Sequence, residues 1–324
     1  MTVRSVEMRR VQLSDDRIVV IRPIEADDVD GLVALYEGLD ADDRYRRFFS
    51  MYFPQRPFFE HMVVAAQRGG ACLAAEVVDP SGARRIVAEA DFELLPNGDG
   101  ELAVTVDASW RGWLGPYLLD ALVESAAASG VPNLEAEVLV SNRPMFALVR
   151  GRGHVVVPQD DWTTLRVVIG TTGRVPSWPG QRAGPRVLIE GGWSERRRRG
   201  ASWTGGLQVL ACPGPIARRR RCPALDGEQC PLAASADVIV ISNPPDGEEW
   251  KVLRAAHPRL HPDVPVCVAL GGGTGQVELA ETELGVDPDA DVIAVVERVA
   301  EAHSRRFVGD GNGEDRHSHS DGPA

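Results

Sequence analysis

Apolar and polar positions along the first half of the chain alternate between two periods. The run RIVVIRPI at 17–24 is β-rich, and apolar residues then recur at Val29, Leu32, Val33, Leu35 and Tyr36, the spacing of an amphipathic helix. Asp27 and Asp28 stand at its start, where the helix dipole favours negative charge. A second helical region is predicted over roughly 42–67, broken at Pro54 and Pro57. Three extended runs follow at 71–78, 85–95 and 101–106. The turns between them, DPSG and LPNGDG, are rich in residues that accept positive φ, so an antiparallel meander is predicted. The segment SWRGWLGPYLLDALVESAAASG reads as a loop entering a helix with Leu118, Leu119, Leu122 and Val123 on one side and Gly130 closing it. A strand at 134–140, a short helix at 144–150 and two strands at 154–158 and 163–169 complete the order β, α, α, β, β, β, α, β, α, β, β.

The pattern changes after residue 170. GTTGRVPSWPGQRAGP is dense in Gly and Pro without periodicity and reads as a linker over 171–184. Beyond it, PRVLIE, Leu207 to Ala211, ADVIVI and VPVCVAL are short continuous apolar runs, the mark of strands buried on both faces of a parallel sheet. Helix-like pieces lie between and after them, GEEWKVLRAAHPRL and DADVIAVVERVAEAHSRR. The expected organisation is therefore a first domain at 1–170, the linker, a small open α/β domain at 185–308, and a disordered tail at 309–324 too polar to bury a core.

Composition narrows the chemistry. The net charge of −12 opposes long-range attraction to phosphate backbones, so no nucleic-acid partner is expected; only the runs Arg196 to Arg199 and Arg218 to Arg221 offer a local exception. Lys251 is the single lysine, which argues against Schiff-base chemistry. No apolar run has the ~18–20 residues of a membrane span and the N-terminus has no secretory apolar stretch, so no membrane partner and a cytoplasmic location are expected. Five cysteines in 324 residues give no disulfide framework. Cys212, Cys222 and Cys230 are separated by nine and seven residues, a poor match to zinc spacing, and no metal site is expected, although three thiolates with His257 or His261 would suffice for a tetrahedral one.

The element order, together with RPIEADDVDGLVALYEGL, DRYRRFFS, GELAVTVDASWRG and EVLVSNRPMFALVRGRGH, resembles the GNAT N-acetyltransferase superfamily, in particular its actinobacterial-type protein acetyltransferases. The resemblance covers roughly 15–170. It implies an α+β GNAT fold, with a mostly antiparallel central sheet flanked by helices, and acetyl-CoA as co-substrate. It also implies that backbone groups of Val104 and Val106 hold the pantetheine arm, that Arg111, Gly112, Trp113, Leu114, Gly115 and Tyr117 form the diphosphate loop and helix start, and that Asn142 and Met145 lie beneath the cofactor. Loop amides entering a helix make a concavity for anions. This loop is one residue shorter than the family pattern, Pro116 removes one donor, and Val149 stands where many relatives carry a tyrosine acid.

Acetyl transfer to an ammonium needs a base and donors for the oxyanion. Glu101 matches the glutamate of the protein acetyltransferases and is the expected base, with partial burial raising its pKa; Glu89 and Asp91 compete with it, both being on one face of the neighbouring strand. The oxyanion donor would be an amide near Val104. Cys72 has no histidine partner in sequence and is expected in the core. The acceptor is a primary amine, a protein lysine or a small amine; Asp27, Asp28, Asp42 and Asp43 offer acidic groups for it but more commonly such clusters are solvated helix starts. The alternative is a non-catalytic acyl-CoA-sensing or protein-interaction module on the same scaffold. The second domain resembles a response-regulator receiver in layout. Ser242 occupies the place of the phosphoacceptor, Ala269 that of the hydroxyl residue, and the switch lysine is missing, which implies a pseudo-receiver without phosphorelay. GGGTG at 271–275 lacks the phosphate-loop lysine and reads as a turn.

Overall fold

The computed structural model describes residues 8–157, 163–173, 175–191, 206–213, 222–242, 248–269 and 283–286, with Val299. They belong to two compact units that divide between Gln181 and Arg182, with Cys222 grouped with the first. The arginine runs, the GGGTG segment, the terminal helix-like piece and the tail expected at 309–324 lie outside the described residues, apart from Val299.

Unit 1 is a mixed sheet covered on both faces. Its strands are β1 (Arg9–Gln12), β2 (Ile18–Pro23), β3 (Ala71–Val78), β4 (Arg84–Leu94), β5 (Gly100–Val106), β6 (Asn133–Leu139), β7 (Val155–Val157) and β8 (Thr164–Gly170), in the order β1-β2-β3-β4-β5-β6-β8-β7. Neighbours are antiparallel except β5 and β6, which are parallel. The helices are α1 (Val29–Glu37), α2 (Ala41–Phe48), α3 (Arg56–Gln67), α4 (Leu114–Ala128) and α5 (Arg143–Arg150). Alternation divides the core. Leu73, Ala75, Ala88, Ala90, Phe92 and Leu102 face Leu118, Leu119 and Leu122 of α4, whereas Cys72 and Ala74 face Leu32 and Tyr36 of α1 and Phe59 of α3.

Three expectations are corrected. Strand β1 was not predicted, because RRVQ carries a single apolar residue and its ladder to Ile18–Ile21 is set by the neighbouring strand. Pro57 lies in the first turn of α3, where its missing N–H is harmless, and does not break a helix. The expected linker is part of unit 1 as far as Gln181: Val175 and Trp178 are buried, Ser177 donates through N and Oγ to Asn133 Oδ1 at 3.0 and 3.1 Å, and the Gly180 amide donates to Asp99 at 3.2 Å. Gly and Pro erase periodicity but not the few apolar anchors that tie a segment down.

Unit 2 contains the parallel strands β9 (Arg186–Gly191), β10 (Gln208–Cys212), β11 (Val238–Ser242), β12 (Val266–Ala269) and β13 (Glu283–Val286), in the order β10-β9-β11-β12-β13. Numbered from its own first strand this is 2-1-3-4-5, the flavodoxin-like doubly wound order. Short helix α6 (Pro231–Ala234) and α7 (Glu248–Leu260) accompany the sheet, whose core includes Val187, Ile189, Val238, Val240 and Cys267. Glu190 and His257, both buried, meet at 2.8 Å. Among the described residues, no helix is long and apolar enough to cross a membrane.

Candidate active site

Strands β5 and β6 pair only at Gly100 with Leu134 and Glu101 with Glu135. Past that point they part. β5 remains bonded to β4 through Val106, and β6 to β8 through Leu139, so the facing inner edges of 102–106 and 136–139 carry no ladder to each other. The gap is the floor of a cleft of about 830 Å³, whose walls come from α2, α3, the loop before α4 and the start of α5. Open strand edges of this kind bind extended groups through their free N–H and C=O groups.

The cleft gathers eight of the expected residues: Glu101, Val104, Val106, Arg111, Gly112, Gly115, Asn142 and Met145. Gly112 has φ +94° with open space where a side chain would project, a backbone geometry other residues rarely adopt. The amides of Leu114 and Gly115 lie in the first turn of α4 and have no intrahelical acceptor, while Pro116 offers none. Arg111 is held in place: its Nε donates to Val106 O at 3.3 Å and its guanidinium pairs with Asp43 of α2, which also takes Arg46 at 3.1 Å. Asn142 Oδ1 accepts from the Met145 amide at 3.2 Å and caps α5.

Three expected contacts are not in the cleft wall. Trp113 packs beside Trp110 and Tyr117, with ring centroids at 6.2 and 6.0 Å, and leaves the cleft open. Leu114, the first residue of α4, is fully buried in the core, and Tyr117 faces solvent. Val149 is buried in the core. The expectation of a partly buried Glu101 also fails, because the residue is exposed; it lines the cleft opposite Glu93, near the end of the paired region.

Behind the cleft wall, reaching it through Arg47, Asp91 and Thr105, lies a polar network that the apolar pattern concealed. Tyr36, which the periodicity placed in the hydrophobic stripe of α1, donates through its hydroxyl to Glu89 Oε1 at 2.6 Å and lies 3.0 Å from Thr105 Oγ1. Glu89 is completely buried, and its Oε2 has no hydrogen-bond partner. Arg47 Nη2 of α2 reaches Asp91 Oδ1 at 3.4 Å. Burial, and then the nearby Glu89 carboxyl, push Asp91 well above the usual aspartate range despite Arg47. Burial likewise raises the Tyr36 hydroxyl and the Cys72 thiol, so both remain protonated; Cys72 lies in the core directly across the ladder from Asp91. The signal that was legible is the alternation of Glu89, Asp91 and Glu93 on a strand whose other face is apolar.

Among the described residues, no group of three or more His, Cys, Asp or Glu is arranged to hold a metal. Cys212, Cys222 and Cys230 are buried. His257 is engaged by Glu190, and His261 Nε2 accepts from the Cys230 amide at 3.3 Å.

No family model matches the chain. Among solved structures, the GNAT domain of PAT from S. lividans is 22% identical over 50% of this chain and 96% of that one, with a TM-score of 0.44. The cAMP-binding acyltransferase from Mycobacterium smegmatis is 23% identical over 51% of this chain and 47% of that one, with a TM-score of 0.35. The GNAT superfamily phosphinothricin acetyltransferase from Sinorhizobium meliloti, in complex with AcCoA, is 16% identical over 47% of this chain and 88% of that one, with a TM-score of 0.39. Each of these three is matched over about half the length of this chain.

Proposed function

We propose that unit 1 is a GNAT-type N-acetyltransferase that moves acetyl from acetyl-CoA to a primary amine by direct attack. The observation that carries this reading is the parting of β5 and β6 beside the first turn of α4. Bound acetyl-CoA supplies the activated thioester. In this reading the unladdered edge of β5 at Val104 and Val106, whose Val106 carbonyl also accepts from Arg111, bonds the pantetheine arm, and the amides of 112–115 face the diphosphate, where the helix dipole favours negative charge. An amide near Val104 stabilises the oxyanion. Glu101, at the edge of the cleft, takes the proton from the acceptor ammonium, and its position opposite Glu93 makes that end attractive to a cation.

Calorimetry with acetyl-CoA on the full chain, followed by thiol release with a panel of primary amines and lysine peptides, tests the reading. Glu101→Gln is expected to lower turnover by about 10²-fold while acetyl-CoA still binds. Binding without transfer to any acceptor supports an acyl-CoA sensor instead, and no binding at millimolar ligand leaves a scaffold. For unit 2 we propose a receiver-like module used for protein contacts, supported by its strand order and by Ser242 at the end of β11.

A further inference from the structure

We propose that Asp91, backed by Glu89 and Tyr36, is the proton donor of the cleft and supplies the leaving sulfur as the thioester breaks. This inference rests on the acetyltransferase reading above. Its starting point is an unbalanced group. Glu89 is completely buried, its Oε1 takes the Tyr36 hydroxyl at 2.6 Å, and its Oε2 has nothing to accept from. A buried carboxylate oxygen left bare is costly. Asp91 stands two residues along the same face of β4 and lines the cleft, and a proton carried by Asp91 and turned to Glu89 satisfies the bare oxygen.

The surroundings keep that proton in place. Arg47 of α2 faces Asp91 at 3.4 Å; Glu89 and Glu93 flank it on β4; Cys72 lies across on β3 as a neutral thiol; Tyr36 comes from α1. Glu101 is diagonal to it on β5, and His61 of α3 is turned to Glu93 at 3.5 Å. One proton shared by two carboxyls leaves a single negative charge, which Arg47 balances. Two ionised carboxylates would leave a buried excess charge.

The placement suits an acid. Asp91 lines the cleft, and its ladder partner on β5 is Ala103, so one strand spacing of ~4.8 Å and a methyl group separate it from the gap between β5 and β6. Glu101 is its diagonal neighbour, ~7–8 Å away between Cα atoms, so both carboxyls share one wall. Among the described residues lining the cleft there is no tyrosine, histidine, cysteine or lysine to do the work otherwise. Two carboxyls in unlike environments divide naturally into base and acid. As the carbon–nitrogen bond forms from the amine lone pair, Glu101 takes a proton from nitrogen. As the carbon–sulfur bond breaks, its electron pair goes to sulfur, which takes the proton of Asp91. Asp91 regains from water the equivalent of the proton that Glu101 releases, so attack by the neutral amine exchanges no net proton with solvent; the one proton released per turnover is the one an ammonium acceptor loses through Glu101 to solvent before it attacks.

The test is the pH profile of turnover by the full chain with acetyl-CoA and n-butylamine. The wild type should lose activity on the alkaline side as Asp91 deprotonates. Asp91→Asn should lower turnover by about 10²-fold and abolish that limb, with acetyl-CoA affinity by calorimetry unchanged. Glu89→Gln keeps the volume but removes the charge that holds the proton, so the limb should move to lower pH. That shift is one a purely structural role would not produce, and it serves even if Asp91→Asn does not fold. Turnover of Asp91→Asn within threefold of wild type, or an unmoved limb in Glu89→Gln, overturns the proposal and leaves the acetyltransferase reading standing. A wild type that binds acetyl-CoA but acetylates no amine removes both.

Discussion

Replacing Gly112 by alanine isolates the backbone geometry at the entrance to α4. Gly112 has φ +94°, and a Cβ built there meets nothing within 4 Å, so the substitution introduces no clash. What it adds is left-handed strain, about 1–2 kcal/mol for a residue with a side chain. Gly130 provides an internal control. It has φ +77° and equally open surroundings, but it lies past the other end of α4, where its amide donates to Ala127 O at 3.0 Å. Both substitutions should therefore cost the same about 1–2 kcal/mol in urea unfolding at unchanged slope, lowering the midpoint temperature of a unit this size by about 2–4 °C per kcal/mol. Only Gly112→Ala should weaken acetyl-CoA. If half of the strain must be restored when the loop amides close on the ligand, the loss is about 0.5–1 kcal/mol, or about two- to fivefold, by calorimetry. Equal affinity loss in both variants, or full affinity in Gly112→Ala with the stability cost present, would refute the assignment of these amides to the ligand.

Two further outcomes follow from buried charge. Asp28 and Arg22 meet at 2.6 Å with side chains only 9% and 11% exposed; burial opposes ionisation of Asp28, but Arg22 and the Glu25 amide outweigh it and hold its pKa below the ordinary aspartate value. Asp28→Asn should cost about 3–5 kcal/mol at neutral pH. In the wild type that stabilisation is present above the unfolded aspartate pKa and is lost as pH falls through the lower folded value, so acid titration of unfolding should show a limb that the variant lacks. In unit 2, burial disfavours the charged form of His257, yet Glu190 prevails and raises its pKa above 6.5. The resulting stability is complete below the unfolded histidine value and lost as pH rises through the folded one. Glu190→Gln should flatten that slope in hydrogen-exchange or denaturant measurements on unit 2 strands, and an unchanged slope would sink the linkage.

Much of the architecture was legible because it is local. The strands and helices of unit 1 follow from runs whose period is set by backbone geometry, and DPSG and LPNGDG place their turns. The apolar runs of the second half predicted buried parallel strands, and β9 to β12 occupy them. β1 escaped because a four-residue edge strand gets its structure from its neighbour, and the segment through Trp178 escaped because its anchors are too sparse for any period.

The site divides differently. Glu101, Gly112, Gly115 and Asn142 were expected from a resemblance of residues, not from any period in the chain, and all four line the cleft; the sequence alone named Glu89 and Asp91 as rivals on one strand face. Nothing in the order of residues said that Tyr36 would turn its hydroxyl onto Glu89, that Glu101 would be exposed, or that Trp113 would stack away from the cleft. Those outcomes depend on which helix covers which face of the sheet and on where two parallel strands stop pairing. The amino-acid sequence therefore determined the elements and their sidedness, since these are properties of neighbouring residues. Only the tertiary structure decided which carboxyl lost its water, because desolvation is imposed by groups far apart in the chain.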